Sequence, residues 1–446
     1  MNRPHRCLQF LLRSARVARF ALRNPRISAQ AVERQLQPQD RAAAFTQYRD
    51  GLPSIAPLSL RPDPALASRP RLNVLLPGMA MRSMSGGPNT AINLVYRLTQ
   101  YGIPLRFVST DIAADQDTSA LRQHFSALTG MPPADCGEVE IVCGSNRGVA
   151  LPVGTNDVFF ASAWWNVQMI KYALPLMRQK RFFYIVQDYE PGLYAWSTEY
   201  ALALETYGLD FDAVICGRLL AEYLTTHGVG RFADRGFLDQ HTVTFEPAID
   251  RGVFHPEERV ETGRRRLLFY ARPTSARRNM FELGLYALRT AVESGVFDGE
   301  AWEFLFMGEA LPAVDLGRGM SIRSAPWADY PGYGAMLRGS DVALSLMLSP
   351  HTSYPPLEMA ACGRLVVTNS FANKTADALR GYSPNIVPVP ATLDGVVGGL
   401  AVAVRRTRAG ERDLAPPALP ATWSESFAEA VPWLAGRVRA AMEQVH

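Results

Sequence analysis

The chain has 446 residues, 48% hydrophobic and 20% charged, with 34 Gly and 32 Pro, a globular composition with length for two large domains or three small ones. The net charge of +4 is gathered at one end, because the first 26 residues carry Arg3, Arg6, Arg13, Arg16, Arg19, Arg23 and Arg26 and no acid while the remainder is close to neutral. This argues against a nucleic-acid surface along the chain. The five cysteines, Cys7, Cys136, Cys143, Cys216 and Cys362, lack any CxxC spacing, and the seven histidines form no HxxxH or HExxH pair. Neither a disulfide framework nor a metal centre is expected, and a reducing, cytoplasmic compartment fits. No apolar run approaches the roughly 20 residues that span a bilayer.

In chain order, the first predicted element is a basic amphipathic helix. At 100° per residue Arg6, Arg13, Arg16, Arg19 and Arg23 fall on one sector and Leu8, Phe10, Leu11, Ala15, Val17, Ala18 and Ala21 on the other. Such a segment, residues 6–24, can lie on an anionic membrane surface, dock on the protein's own body, or fray. Residues 28–70 read as a polar helix and a Pro-rich linker, so the compact part is expected to start near Arg71.

From there apolar runs alternate with helical patterns: RLNVLLPG, PNTAINLVYRLTQYG, IPLRFVST, DVFFASAW, NVQMIKYALPLMRQ, RFFYIVQD, STEYALALETYG, FDAVICG and LLAEYLTTHGVG. A second series follows Arg264: RLLFYAR, NMFELGLYALRTAVESG, WEFLFMG, YPGYGAMLRGS, DVALSLML, PPLEMAACG, RLVVTNS and NIVPVP. Alternation of this kind specifies parallel sheets covered by helices. The fold expected is α/β with two Rossmann-like domains, residues 71–250 and 251–420. They are joined through FEPAIDRGVFHPEERVETGRR and followed by a helical tail, 421–446, that packs back on the first domain.

Two such domains turn the carboxyl ends of both sheets onto one cleft, where open parallel sheets bind ligands. The polar residues at those ends are Gly86 and Gly87 after the first strand, Gln187, Asp188, Tyr189 and Glu190 after RFFYIV, Arg272 after RLLFYA, and Tyr354 and Glu358 after DVALSLML. Arg272, Arg277 and Arg278 lead into a helix start near Asn279, a combination of cationic forks and free backbone N–H groups suited to a diphosphate. A solvated basic loop is the plain alternative. In SYPPLEMAACG the two prolines suit the first turn of a helix and Gly363 its end, which places Glu358 at the cleft mouth. Glu358 either complements the helix dipole or accepts hydrogen bonds from sugar or ribose hydroxyls, with Tyr354 facing the same ligand.

The two-domain layout, the linker Phe245-Glu-Pro-Ala-Ile-Asp250 with Phe254-His-Pro256, and SYPPLEMAACGRLVVTN resemble retaining GT-B glycosyltransferases of family 4. The segment VQDYEP, Val186 to Pro191, with Glu199-Tyr-Ala-Leu-Ala-Leu-Glu-Thr-Tyr207, is closer to rhamnosyltransferases of the WsaF type, which use dTDP-L-rhamnose to build bacterial surface polysaccharides such as O-antigen. The resemblance covers about Arg71 to Arg406. It implies a nucleotide-sugar donor, held by Arg272, Tyr354 and Glu358, a glycan or lipid-linked glycan acceptor, and no metal or other cofactor. Two departures stand out. Many family 4 enzymes carry a second Glu where this chain has Pro350, and the usual Arg…Lys pair is absent, leaving Arg277 or Arg278 in the lysine's place.

Asp188 and Glu190 are candidates for orienting the acceptor hydroxyl, or for pairing with arginines and capping the following turn. Asp210-Phe-Asp212 imitates a metal-binding Asp-x-Asp but precedes its strand, at the wrong end for a ligand, and LLPGMAMRSMSGGPN does not fit a GxGxxG dinucleotide site. A transferase using GDP-mannose or a UDP-sugar, and a non-catalytic nucleotide-sugar or glycan binder that keeps the fold, stay open at this point.

Overall fold

The computed structural model describes residues 55–84, 86–132, 138–257, 263–273 and 277–443. The basic segment 6–24 and the polar helix expected after it lie outside the described residues.

The first sheet has seven parallel strands in the order β4-β3-β2-β6-β7-β8-β9. These are β2 (Leu72–Gly78), β3 (Leu105–Ile112), β4 (Val139–Cys143), β6 (Val158–Ala161), β7 (Phe182–Val186), β8 (Phe211–Cys216) and β9 (Thr242–Phe245). At its centre β6 (VFFA) and β7 (FFYIV) are apolar or aromatic along their whole length because helices cover both faces, while β2 and β3 carry the buried pair Asn73 and Arg106. Side-chain alternation divides them: Val74, Leu76, Phe183, Ile185 and Val214 enter one core, and Leu75, Tyr184, Val186, Ala213 and Ile215 the other.

The second sheet runs β12-β13-β11-β10-β14-β15-β16. Its strands are β10 (Arg264–Ala271), β11 (Ala301–Gly308), β12 (Val314–Gly317), β13 (Met320–Ser324), β14 (Val342–Leu344), β15 (Leu365–Asn369) and β16 (Ile386–Val389). All neighbours are parallel except the β12–β13 hairpin at the edge. The helix Phe281–Glu293 packs against β10 through Gly284, where a Cβ would stand 2.3 Å from the Phe269 ring. Only glycine admits that approach.

The compact body starts earlier than Arg71. Within the Pro-rich stretch β1 (Leu60–Pro62) pairs in parallel with β5 (Leu151–Val153), Leu58 is buried, and Asn156 Nδ2 donates to the Ala67 carbonyl at 2.7 Å. Proline tolerates this because an edge strand needs few N–H donors. The run DVALSLML is likewise not one strand: β14 stops at Leu344, and the chain then leaves the sheet. Asn369 grips the departing segment from both sides, with Met347 N–H on Oδ1 at 2.7 Å and Nδ2 on the Met347 carbonyl at 3.1 Å.

The tail forms a short helix, Trp423–Ser426, and a longer one, Ala430–Glu443. Ala430, Val431, Leu434, Ala435, Val438 and Met442 join the core of the first sheet. Arg437 fastens the longer helix to Asp212 at 2.8 and 3.1 Å. Asp210 pairs with Arg181, so both aspartates of the Asp-x-Asp are structural. Among the described residues no three His, Cys, Asp or Glu side chains are grouped to hold a metal ion, and no helix is long and apolar enough to cross a membrane.

Candidate functional site

Carboxyl ends of both sheets open onto a cleft of about 300 Å³. After β2 it is lined by Gly86, Gly87 and Pro88, after β6 by Ser162, Ala163 and Trp165, and after β7 by Gln187, Asp188 and Glu190. The second sheet contributes Tyr270 and Arg272 at the end of β10, then Arg278 and Asn279, and after β14 Met347, His351, Ser353, Tyr354 and Pro355. Three helices start at the cleft, Gly86–Tyr96, Trp164–Ala173 and Tyr354–Ala361, so their positive dipole ends point toward it, while Pro88, Pro355 and Pro356 supply no N–H donor there and the Trp164 N–H is taken by Glu190.

Of the sequence candidates, Gly86, Gly87, Asp188, Glu190, Arg272, Arg278 and Tyr354 line this one space. Arg277 does not: it is exposed and outside the lining, because the single turn Arg277–Asn279 points successive side chains apart. Asn279 holds that turn by donating to the Leu346 carbonyl at 2.8 Å, and Leu348 N–H donates to the Arg278 carbonyl at 2.8 Å.

Glu358 is also outside the lining. It stands in the second turn of its helix, where Tyr333 Oη donates to Oε2 at 2.6 Å. Burial pushes its carboxyl up to about 7, opposed by that hydrogen bond. Helix Tyr354–Ala361 ends as its sequence suggests, with Gly363 at φ 67° and its N–H on the Ala360 carbonyl at 3.0 Å. At its start Ser353, with φ 68° and no side-chain cap, is a strained non-glycine residue on the cleft wall. Tyr354 reaches across to the first domain: its hydroxyl lies 3.3 Å from Thr90 Oγ1 and 3.7 Å from Cys216 Sγ.

Asp188 lies at the contact between the two domains and is 7% exposed. Its Oδ2 is 3.1 Å from Arg278 Nε, and its Oδ1 accepts from Tyr189 N–H at 2.8 Å and from the Ser349 hydroxyl. Tyr207 Oη fixes its backbone, donating to the Asp188 carbonyl at 3.1 Å. Glu190 is 8% exposed and accepts from Tyr184 Oη. Burial is the largest influence on Glu190 and pushes it up to about 8, with Asp188 adding to the rise and the Tyr184 bond opposing it, so at neutral pH it is mostly a neutral acid.

Three further groups escape the sequence reading. Lys374, 1% exposed, donates to the carbonyls of Met347 at 3.0 Å and His351 at 3.3 Å. Burial lowers it to about 7, with Arg278 adding and Asp188 opposing. His351 is buried and lowered to about 4. Its Nδ1 accepts from Ser353 N–H at 3.1 Å, so in the neutral ring Nε2 carries the proton and donates to Cys216 Sγ at 3.5 Å. Ser349 is the third. The only signal for Lys374 is its place five residues beyond β15; its burial depends on the loop after β14 folding over it.

Comparison with known proteins places the chain. The N-terminal domain model of the WsaF family matches residues 71–216 and its C-terminal domain model matches residues 265–401, together more than half of the chain. Over 272 residues the chain is 36% identical to the O-antigen biosynthesis protein RfbC of Myxococcus xanthus, a match that covers 61% of this chain and 20% of that much longer protein. Among solved structures, Anabaena HepE in complex with UDP-glucose superposes with a TM-score of 0.51 at 11% identity, covering 83% of this chain and 99% of that one, a likeness of fold. The cleft between two Rossmann-like domains is thus the GT-B arrangement, and the chain belongs to the WsaF family.

Proposed function

We propose that the protein transfers a sugar from a nucleoside-diphosphate donor to a hydroxyl of a growing surface polysaccharide, an O-antigen or similar glycan. The donor is dTDP-L-rhamnose, transfer retains the anomeric configuration, and no metal takes part. Support for the donor identity and stereochemistry comes from the resemblance of VQDYEP and SYPPLE to rhamnosyltransferases, and for the glycan from the RfbC relative.

The carrying observation is that Arg272 and Arg278 share one cleft with the helix starts at Gly86 and Tyr354. In glycosyl transfer the difficult step is departure of the nucleoside diphosphate, and fixed cations beside the positive ends of helices stabilise the charge that grows on it. That work needs no Lewis acid. The departing phosphate then takes the acceptor's proton on the same face of the sugar, while Asp188 orients the acceptor hydroxyl from the first domain. Glu190, held neutral, keeps Tyr184 and the start of helix Trp164–Ala173 in place beside it. Transfer takes place on the cytoplasmic side, and residues 6–24 hold the enzyme to anionic membrane; unchanged sedimentation with anionic vesicles after their deletion would remove that part of the reading.

Calorimetric titration with dTDP, UDP and GDP in the presence of EDTA tests the donor reading. Binding selective for dTDP and lost in Arg272→Ala supports it; absence of nucleotide binding, or binding indifferent to Arg272, overturns it. NMR of the product of dTDP-rhamnose turnover then reads the anomeric configuration.

A further inference from the structure

Asp188 and Arg278 are both on the cleft wall and both proposed to serve the reaction, yet here they serve each other. The contact is a charge pair and not a good hydrogen bond: Arg278 Nε is buried, lies 3.1 Å from Oδ2, and makes no hydrogen bond. A guanidinium seated this way keeps unused donor capacity, and a buried N–H without an acceptor is costly. Asp188 by contrast is well held on its own side, through Tyr189 N–H on Oδ1 and Tyr207 Oη on its carbonyl. Ser349, the other donor on Oδ1, comes from the same loop after β14 that Lys374 pins through Met347 and His351.

We propose that Asp188 competes with the donor's diphosphate for Arg278, so that donor binding releases the Asp188 carboxylate for the acceptor hydroxyl. This rests on the donor reading above. A diphosphate carries more charge and more acceptor oxygens than one carboxylate, and it can satisfy the guanidinium in the bidentate geometry that Asp188 does not supply. Once Arg278 turns to phosphate, Oδ2 is left facing the cleft while Oδ1 stays anchored by Tyr189 N–H. The exchange couples the two substrates: the acceptor's partner becomes available only when the donor is in place. Asp188 is therefore a positioning group whose partner changes during the cycle, and Arg278 is the element that reads whether phosphate is present.

The test is a double-mutant cycle on the full chain, with dTDP, UDP and GDP as probes. Asp188→Asn is expected to tighten binding of the preferred nucleotide about five- to tenfold, because the competitor for Arg278 is weakened. In an Arg278→Ala background the same substitution is expected to leave affinity unchanged, which separates competition for Arg278 from simple charge repulsion between Asp188 and phosphate. Steady-state transfer by Asp188→Asn should show a lower kcat together with a lower KM for donor, a pair of changes that a merely damaged site does not give. If wild type binds nucleotide but Asp188→Asn binds no more tightly, or if the gain persists in full without Arg278, the exchange is wrong and the donor reading survives. If wild type binds none of the three, both fall together.

Discussion

On the wall built from the second sheet the groups nearest the cleft are Arg272 and Arg278, with Lys374 buried behind them; on the wall built from the first sheet they are Asp188 and Glu190, with the phenols of Tyr184 and Tyr207 holding them. Both walls are strand ends of the same kind of parallel sheet. The difference shows that the fold brings helix starts to both halves, while the side chains at the strand ends make one wall cationic and the other acidic. Burial acts on the two walls with opposite sign, raising the acid Glu190 to about 8 and lowering the base Lys374 to about 7. Each group is therefore pushed toward neutrality where it stands.

The largest expected effect breaks this symmetry through pH. A carboxyl raised in the folded state contributes stability that is present below its unfolded value of 4.5 and is lost as pH rises through about 8. Urea unfolding should show Glu190→Gln gaining on wild type across that window, by on the order of 3–5 kcal/mol. For Lys374, lowered from 10.5 to about 7, the sign reverses: its contribution is full above 10.5 and is lost as pH falls through about 7. Wild type should gain on Lys374→Met as pH rises from 7 to 10.5, by a similar amount. Parallel curves for variant and wild type would show that the carboxyl or amine is solvated.

Next in size is Arg272→Ala, for which nucleoside-diphosphate affinity should fall about 30- to 100-fold by calorimetry with the circular dichroism spectrum unchanged, since charge-assisted bonds to phosphate are worth about 2–3 kcal/mol. A smaller loss follows Tyr333→Phe. Removing the 2.6 Å bond to Glu358 should cost about 1–2 kcal/mol at neutral pH in urea titrations and raise the Glu358 carboxyl further, because that bond is what opposes burial there. The smallest effect sharpens the assignment within the arginine cluster. Arg277→Ala should change nucleotide affinity less than about threefold, as expected of an exposed cation outside the cleft lining. A loss equal to that of Arg272→Ala would show that the 277–279 turn rearranges around phosphate.

Much of the architecture was legible because it is written in local pattern. Continuous apolar runs separated by helical stripes specify buried parallel strands, and Pro355, Pro356 and Gly363 bound one helix correctly. Short strands with weak or mixed patterns, β1, β4, β5, β9 and the β12–β13 hairpin, were not legible, since their pairing partners supply the order that their own residues do not. For the site, strand-end position was enough to bring Gly86, Gly87, Asp188, Glu190, Arg272, Arg278 and Tyr354 into one cleft. It misplaced Glu358 and Arg277, for which the direction of the side chain matters more than its place in the chain.

By itself, then, the sequence determined two parallel-sheet halves, the cleft at their strand ends, and a cluster of arginines facing a pair of acids, because hydrophobic period and punctuation act over a few residues at a time. Only the tertiary structure decided which arginine enters the cleft, that Asp188 pairs across it with Arg278, that Tyr333 satisfies Glu358, and that Lys374 is buried. Each of these depends on residues from distant segments approaching within hydrogen-bond distance, and on the burial that follows, which no local pattern encodes.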